Sequence, residues 1–170
     1  MTSDKPWLSD EQQNVWRSWV ALTAQLPAYL HRELQADAGL SLPDFDVLVQ
    51  LTDAFENRGR VLALGRDLAG ERGRVSHHVS RMEVRGLVRR EECPDDGRGA
   101  FVVLTDQGRA AIERAAPNHV RAVRGVVFDG LDEAETAALG QALEVMLSAL
   151  ERTREESSPA ARTSGGVRRG

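Results

Sequence analysis

The chain has 170 residues, 41% of them hydrophobic and 28% charged, with a formal net charge of −4; that is one ordinary domain with appendages, lean in apolar residues but able to bury a core. No apolar run approaches the ~20 residues of a membrane span, and MTSDKPWLSDEQQ has no basic stretch leading into an apolar core, as a secretory signal would. A lone cysteine, Cys93, can form neither an internal disulfide nor a CxxC zinc site, so the expectation is a cytoplasmic protein with no cofactor and no membrane partner.

From Leu8 to about Asp37, apolar residues recur every three or four positions (Val15, Trp16, Trp19, Leu22, Leu26, Leu30, Leu34), which predicts a helix with Ser9 or Asp10 as its cap. Pro27 lies inside it and should kink it near Thr23. A second helix is predicted over Pro43 to about Glu56, preceded by Ser41, with Phe45, Leu48, Val49 and Leu51 inward. ENRGR then reads as a turn. Leu62 to Gly70 reads as a short helix, Glu71 to Gly73 as a turn, and the next stretch as a basic helix ending near Gly86. The runs LVRREE and AFVVL are strand-like, and CPDDGRG, rich in turn residues, joins them. Thr105 or Asp106 caps a further helix that contains Pro117 and ends around Gly130. Asp132 opens the last amphipathic helix, with Leu139, Leu143, Met146, Leu147 and Leu150 on one side.

Short helix, tight turn, basic helix and hairpin is the order of a winged helix-turn-helix. The expected fold is therefore mainly α with a small β-hairpin wing. The long flanking helices carry more apolar surface than a reading module of this size can cover, and a second copy of the chain is the simplest cover. The expected organisation is an N-terminal dimerisation helix over 1–37, the DNA-binding domain over 38–104, C-terminal dimerisation helices over 105–152 and a disordered tail over 153–170.

Charge is concentrated in the middle of this order. Arg72, Arg74, Arg81, Arg85, Arg89 and Arg90 face one acid, Glu83, between positions 72 and 90. At about 100° per residue, Val75, Val79, Met82 and Gly86 fall within roughly 60° of one another and make the buried stripe. Gly73, His77, Ser80 and Arg81 fall opposite, with Arg74 and Ser76 on the flanks. Such a small, polar, positive face suits a DNA major groove, where arginine pairs with guanine N7 and O6 and Ser or His reaches base edges or phosphates. A merely solvated face would carry the same arginines; the hairpin directly after it favours DNA. Arg72, Arg74, Ser76, His77, Ser80 and Arg81 are the candidate contacts on double-stranded DNA. Arg98, at the hairpin tip between Gly97 and Gly99, can enter a minor groove, and Asp96 can brace its guanidinium.

These residues resemble the MarR family of bacterial transcription regulators over about residues 10–150. The resemblance is carried by RVSHHVSRMEVRGLVRREECPDDGRGAFVVLTDQG, with its basic helix, GLVRR, an Asp-x-Arg wing tip and LT..G, and by LSLPDFDVLVQL at 40–51. It implies a homodimer held by the N- and C-terminal helices, with recognition helices in the major groove and wings in the minor groove of a pseudo-palindromic operator. It also implies a repressor released by a small, often aromatic, effector bound between the dimer helices and the DNA-binding lobe. Trp16, Trp19 and His31 on the first helix are the candidate effector contacts, and the same aromatics at helical spacing also suit a core or an interface. The chain departs from the family in Glu71, a poor helix cap, and in Gly65 within the short helix, each loosening the motif by ~1 kcal/mol. Between Arg90 and Arg109 the wing has only Arg98 as a basic residue.

Cys93 sits among Glu91, Glu92, Asp95 and Asp96, which should raise its thiol pKa and blunt redox chemistry. His77 and His78 project about 100° apart on a helix, so no metal site is expected. No G-x-S-x-G, Walker loop or H-E-x-x-H is present, and no catalytic residue is expected. A winged-helix module that binds protein rather than DNA is the alternative, opposed by the arginine cluster.

Overall fold

The computed structural model describes residues 7–60, 72–92 and 100–156, in two compact units divided after Val123. The first unit opens with α1 (Asp10–Ala38). Ser9 starts it with a reciprocal cap: its hydroxyl accepts the Gln12 amide at 3.2 Å, and the Gln12 side chain accepts the Ser9 amide at 2.9 Å. Pro27 deprives the Thr23 carbonyl of its helical partner, yet α1 is one unbroken element. Gly39, in the left-handed conformation at φ 64°, ends it with its amide on the Gln35 carbonyl. Only the C-terminal half of α1 enters the core, through Leu30 and Leu34; Val15, Trp16, Trp19 and Leu22 stay exposed in the single chain.

α2 (Leu42–Asp53) starts from a second reciprocal cap, Ser41 with Asp44, and buries Phe45, Val47, Leu48 and Leu51. The expected turn at ENRGR is half right. Phe55–Asn57 is a 3-10 turn in which Glu56 and Asn57 take φ near 55°. That reversal feeds Arg58–Arg60 against β3 as an extra strand, β1. Arg109 pins the turn through a 2.7 Å bond to the Asn57 side chain. Three residues of Arg-Gly-Arg carry no alternation of their own, so this strand is made by its partner. The sheet accordingly has three antiparallel strands in the order β1-β3-β2, with β2 at Val88–Glu92 and β3 at Ala100–Leu104, rather than a bare hairpin.

Before the sheet's second strand lies α3 (Arg72–Val84), the basic helix. The short helix expected at Leu62–Gly70 lies outside the described residues, as do Gly65 and Glu71. α3 ends in a Schellman motif: the Gly86 amide bonds the Glu83 carbonyl at 2.9 Å and the Leu87 amide bonds the Met82 carbonyl at 3.0 Å, with Gly86 at φ 71°. Leu87 and Met82 are both buried, which supplies the apolar contact of that motif.

α4 (Asp106–Val123) follows, with Pro117 inside it as expected. Thr105 ties its start to the end of α3. The Thr105 hydroxyl donates to the Gly86 carbonyl at 2.6 Å, and its oxygen accepts the Gly108 amide at 3.0 Å. A Cβ on Gly108 would lie 2.0 Å from the Leu87 carbonyl oxygen, so this position has room for hydrogen only. Leu34, Leu40, the inward residues of α2, Val75, Val79, Met82, Leu87, Val102 and Ile112 form one continuous core. The C-terminal part of α1 and the first half of α4 thus belong to the same core as the helix-turn-helix.

The second unit is a π-helical turn at Arg124–Phe128 and α5 (Glu133–Glu156). Asp132 caps α5 reciprocally with Glu135, at 2.8 and 2.9 Å. The helix runs to Glu156, past the end expected near Arg152. Val145, Met146, Leu147 and Leu150 on it are exposed.

Candidate nucleic-acid interface

The periodicity of α3 sorts its residues as expected. Val75, Val79 and Met82 are buried against the core, while Ser76, His77 and Arg81 are exposed. Arg72 and Arg74 occupy the first turn of α3, and their side chains lie outside the described residues. So do Asp96 and Arg98 of the wing and Cys93 before it.

Ser80 is half-buried and committed within the protein. Its hydroxyl donates to the Ser76 carbonyl at 3.0 Å and accepts from Arg90 Nη2 at 2.9 Å. The same Arg90 nitrogen donates to the Ser76 carbonyl at 2.9 Å, and the Arg90 amide donates to Glu83 at 3.1 Å. The second arginine of GLVRR thus straps β2 across α3, leaving Ser76, His77 and Arg81 as the exposed polar side chains of the described face able to reach bases.

A second anchor comes from α2. Asp44 is buried, and its carboxylate receives the Ser41 amide at 2.8 Å and Arg85 Nη1 at 2.7 Å. His78 Nε2 lies 3.2 Å from its other oxygen. Arg85 also donates to the Gly39 carbonyl at 2.7 Å, so one guanidinium joins the end of α1, the start of α2 and the end of α3. Burial opposes ionisation of Asp44, but the His78 contact and hydrogen bonds from the Ser41 backbone, Arg85 and the Ser41 side chain outweigh it and hold the carboxyl well below the usual carboxylate range. Asp44, His78, Arg85 and Arg90 were not among the expected site residues. The available signal was the Ser41–Asp44 spacing of a capping box; what no spacing reveals is that the capping carboxylate faces α3.

The sheet brings further positive charge. Arg58 and Arg60 on β1 lie over the Phe101 ring of β3, at 4.9 and 5.6 Å from its centroid. The wing sheet is therefore more basic than residues 91–108 alone suggest.

The expected effector contacts do not converge within one chain. Trp16 and Trp19 are 57% and 36% exposed. His31 lies twelve residues beyond Trp19, about 18 Å along the helix at ~1.5 Å per residue, and its Nδ1 accepts the Leu42 amide at 3.3 Å. A cavity of about 420 Å³ lies instead between α1 and α4, lined by Tyr29, Glu33, Asp37, Asn118 and Arg121 among others. Nearby, Phe45 stacks on His119 with ring centroids 4.3 Å apart. Burial lowers the His119 pKa against the pull of Asp46, and burial raises that of Asp46. Among the described residues there is no cluster of metal-ligating side chains and no helix long and apolar enough to cross a membrane.

Solved structures share this arrangement. The chain is 40% identical to Sco3205, a MarR family transcriptional regulator from Streptomyces coelicolor solved in complex with DNA, with a TM-score of 0.82 over 88% of this chain and 93% of that one. The chain belongs to the MarR family of transcriptional regulators. A second MarR family regulator from the same organism, AbsC, is 35% identical with a TM-score of 0.81, over 86% of this chain and 99% of that one. A mutant of Escherichia coli MarR complexed with operator DNA shares the fold at 23% identity, with a TM-score of 0.71 over 83% of this chain and 99% of that one. No protein-family model and no curated protein matches the sequence. Membership explains LT..G in this MarR chain physically: Thr105 is the hinge pin between α3 and α4, and Gly108 admits the Leu87 carbonyl.

Proposed function

We propose that this MarR-family regulator is a homodimeric, sequence-specific DNA-binding repressor of a pseudo-palindromic operator, acting in the cytoplasm without catalytic chemistry. The observation that carries the reading is α3: Val75, Val79 and Met82 inward, His77 and Arg81 outward, and no acid on that outward side, with the exposed Val84 only at the helix end. Residues 38–104 would read DNA, with Arg72, Arg74, Ser76 and Arg98 adding backbone or groove contacts and Asp96 bracing the wing. The exposed apolar residues of α1 and α5 would be covered by the second subunit. A dimer of this kind sets its two recognition helices about one DNA turn, ~34 Å, apart. The body supports the same assignment electrostatically. Residues 58–109 hold 11 arginines and 8 acids, so the remaining chain carries −7 of the total −4, and DNA is repelled except at the reading surface.

The cavity between α1 and α4 supports a small-molecule effector. Among the described residues that line it, the guanidinium of Arg121 stands with the carboxylates of Glu33 and Asp37. That lining favours a polar or zwitterionic ring over the simple aromatic acid suggested by Trp16, Trp19 and His31.

The test is fluorescence anisotropy of the full chain against duplex DNA from upstream of its own gene, with a scrambled duplex as control, across about 50 to 300 mM salt. Tight, sequence-preferring binding with a steep salt slope is the expected result. Absence of binding to any genomic fragment at low salt overturns the reading in favour of a protein-interaction module.

A further inference from the structure

His77 and His78 are neighbours with opposite fates. His77 is exposed, whereas the His78 side chain is 13% exposed and turned toward α2. Its two ring nitrogens meet groups of opposite kind. Nδ1 lies 3.3 Å from Arg81 Nη2, and Nε2 lies 3.2 Å from Asp44 Oδ1. A guanidinium has donors only, so Nδ1 must be the acceptor. The ring proton then sits on Nε2, facing a carboxylate. Each end of the ring therefore fixes the role of the other. Among the described residues the buried Nε2 makes no hydrogen bond of good geometry and faces Asp44 Oδ1 as a 3.2 Å charge contact, and the Arg81 side chain has no other polar partner than His78. Asp44 is itself immobile, held by the Ser41 amide and by Arg85. The result is a relay of fixed polarity from a buried carboxylate through one imidazole to an arginine on the exposed face of α3.

We propose that His78 is a positioning residue for base recognition: anchored by Asp44, it orients the Arg81 guanidinium so that Arg81 selects a guanine in the major groove. The inference rests on the DNA-binding reading above and deepens it. An exposed arginine free to rotate must be ordered when DNA binds. An arginine already hydrogen-bonded on one side presents its remaining N–H fork in a fixed direction, which bidentate reading of guanine N7 and O6 requires. Nη2 has two hydrogens, so the bond to His78 leaves one for the base. His78 touches no DNA in this account; its effect passes through Arg81.

The test uses the full-length chain and its operator, with 7-deazaguanine replacing each guanine in turn to remove the N7 acceptor. The parent should lose roughly 10- to 100-fold in affinity at one guanine per half-site. Arg81→Ala should lose that sensitivity and so identify the base. His78→Phe, which keeps the ring and removes both nitrogens, should reduce the penalty at that same guanine by several-fold. Its binding to non-specific DNA should stay unchanged. His78→Gln, which keeps a donor and an acceptor at similar separation, should restore much of the penalty. Asp44→Asn should resemble His78→Phe, and circular dichroism verifies that each variant is folded.

A uniform loss of affinity in His78→Phe, with the base penalty intact, overturns the proposal and leaves His78 a packing residue. Retention of every guanine penalty by Arg81→Ala overturns it too, by removing Arg81 from the groove, while the DNA-binding reading survives if operator preference persists. Loss of operator preference in the parent itself would instead defeat the parent reading.

Discussion

Substituting Gly108 by alanine sets two effects against each other. Alanine is the better helix former, and in α4 it should add up to ~1 kcal/mol. The structure opposes this, because the new Cβ would sit 2.0 Å from the Leu87 carbonyl oxygen and 2.9 Å from a Leu104 methyl. Real Cβ contacts stay beyond 3.0 Å, so α4 and the Leu87 backbone must part by roughly 1 Å, and neither is a flexible side-chain end. Overpacking of this kind costs ~1–3 kcal/mol. The Thr105 bond to the Gly86 carbonyl lies in the same joint and would lengthen, at ~1 kcal/mol. The net expectation is a loss of about 2 kcal/mol, or a fall in Tm of roughly 4–8 °C for a chain of this size. Thermal unfolding by circular dichroism, at one fixed protein concentration because a dimer's Tm depends on it, measures the effect. Leu87 also closes the end of α3, so operator affinity should fall with stability. An unchanged or raised Tm would refute the close approach and leave helix propensity as the ruling effect.

Three further outcomes are expected. Asp44 is held below its ordinary carboxyl value, so the stability it contributes is complete above about pH 4 and drains away as pH falls. Asp44→Asn should lower Tm at neutral pH and flatten the acid limb of Tm against pH. His119 is lowered from 6.5 by burial, so it favours the fold above that pH and opposes it as the medium acidifies. His119→Gln should weaken the decline in Tm between about pH 7 and pH 5, read as a difference from the parent. Finally, glutamates in place of both Trp16 and Trp19 should leave a folded monomer by light scattering and abolish tight operator binding, because the exposed apolar face of α1 would no longer find its second copy.

What the sequence shows and what it hides divides by range. Elements with a strong local period were legible: α1 and α2 from their apolar spacing, α3 from the stripe Val75, Val79 and Met82, and the start of α5 from Asp132. The sorting of α3 into a buried and an exposed side followed from geometry alone. β1 was not legible, because Arg58–Arg60 has no pattern and becomes a strand only by pairing with Phe101–Val103. Ser80 reads as a free hydroxyl on the wheel, but Arg90, ten residues on, occupies it. Asp44 reads as a helix cap, which it is, and its second duty toward His78 and Arg85 depends on how α2 crosses α3. Trp16, Trp19 and His31 share a helix, which suggested one pocket, while the helical rise keeps His31 some 18 Å from the nearer tryptophan.

The internal ties of α3 bear on how few groups must do the reading. Ser76 and Ser80 are strapped to Arg90, His78 and Arg85 to Asp44, and the C-terminal turn to Leu87 through the Schellman bonds. Most polar groups of the described helix are therefore committed before DNA arrives. Ordering a long side chain on binding costs about 0.5–1.5 kcal/mol, so an arginine already held by His78 loses less than a free one. A rigid helix with few exposed reading groups discriminates through their placement rather than their number, and the wrong base then leaves a fixed donor without a partner. Specificity in this regulator should accordingly be more sensitive to the buried residues behind α3 than to the loss of any single exposed charge.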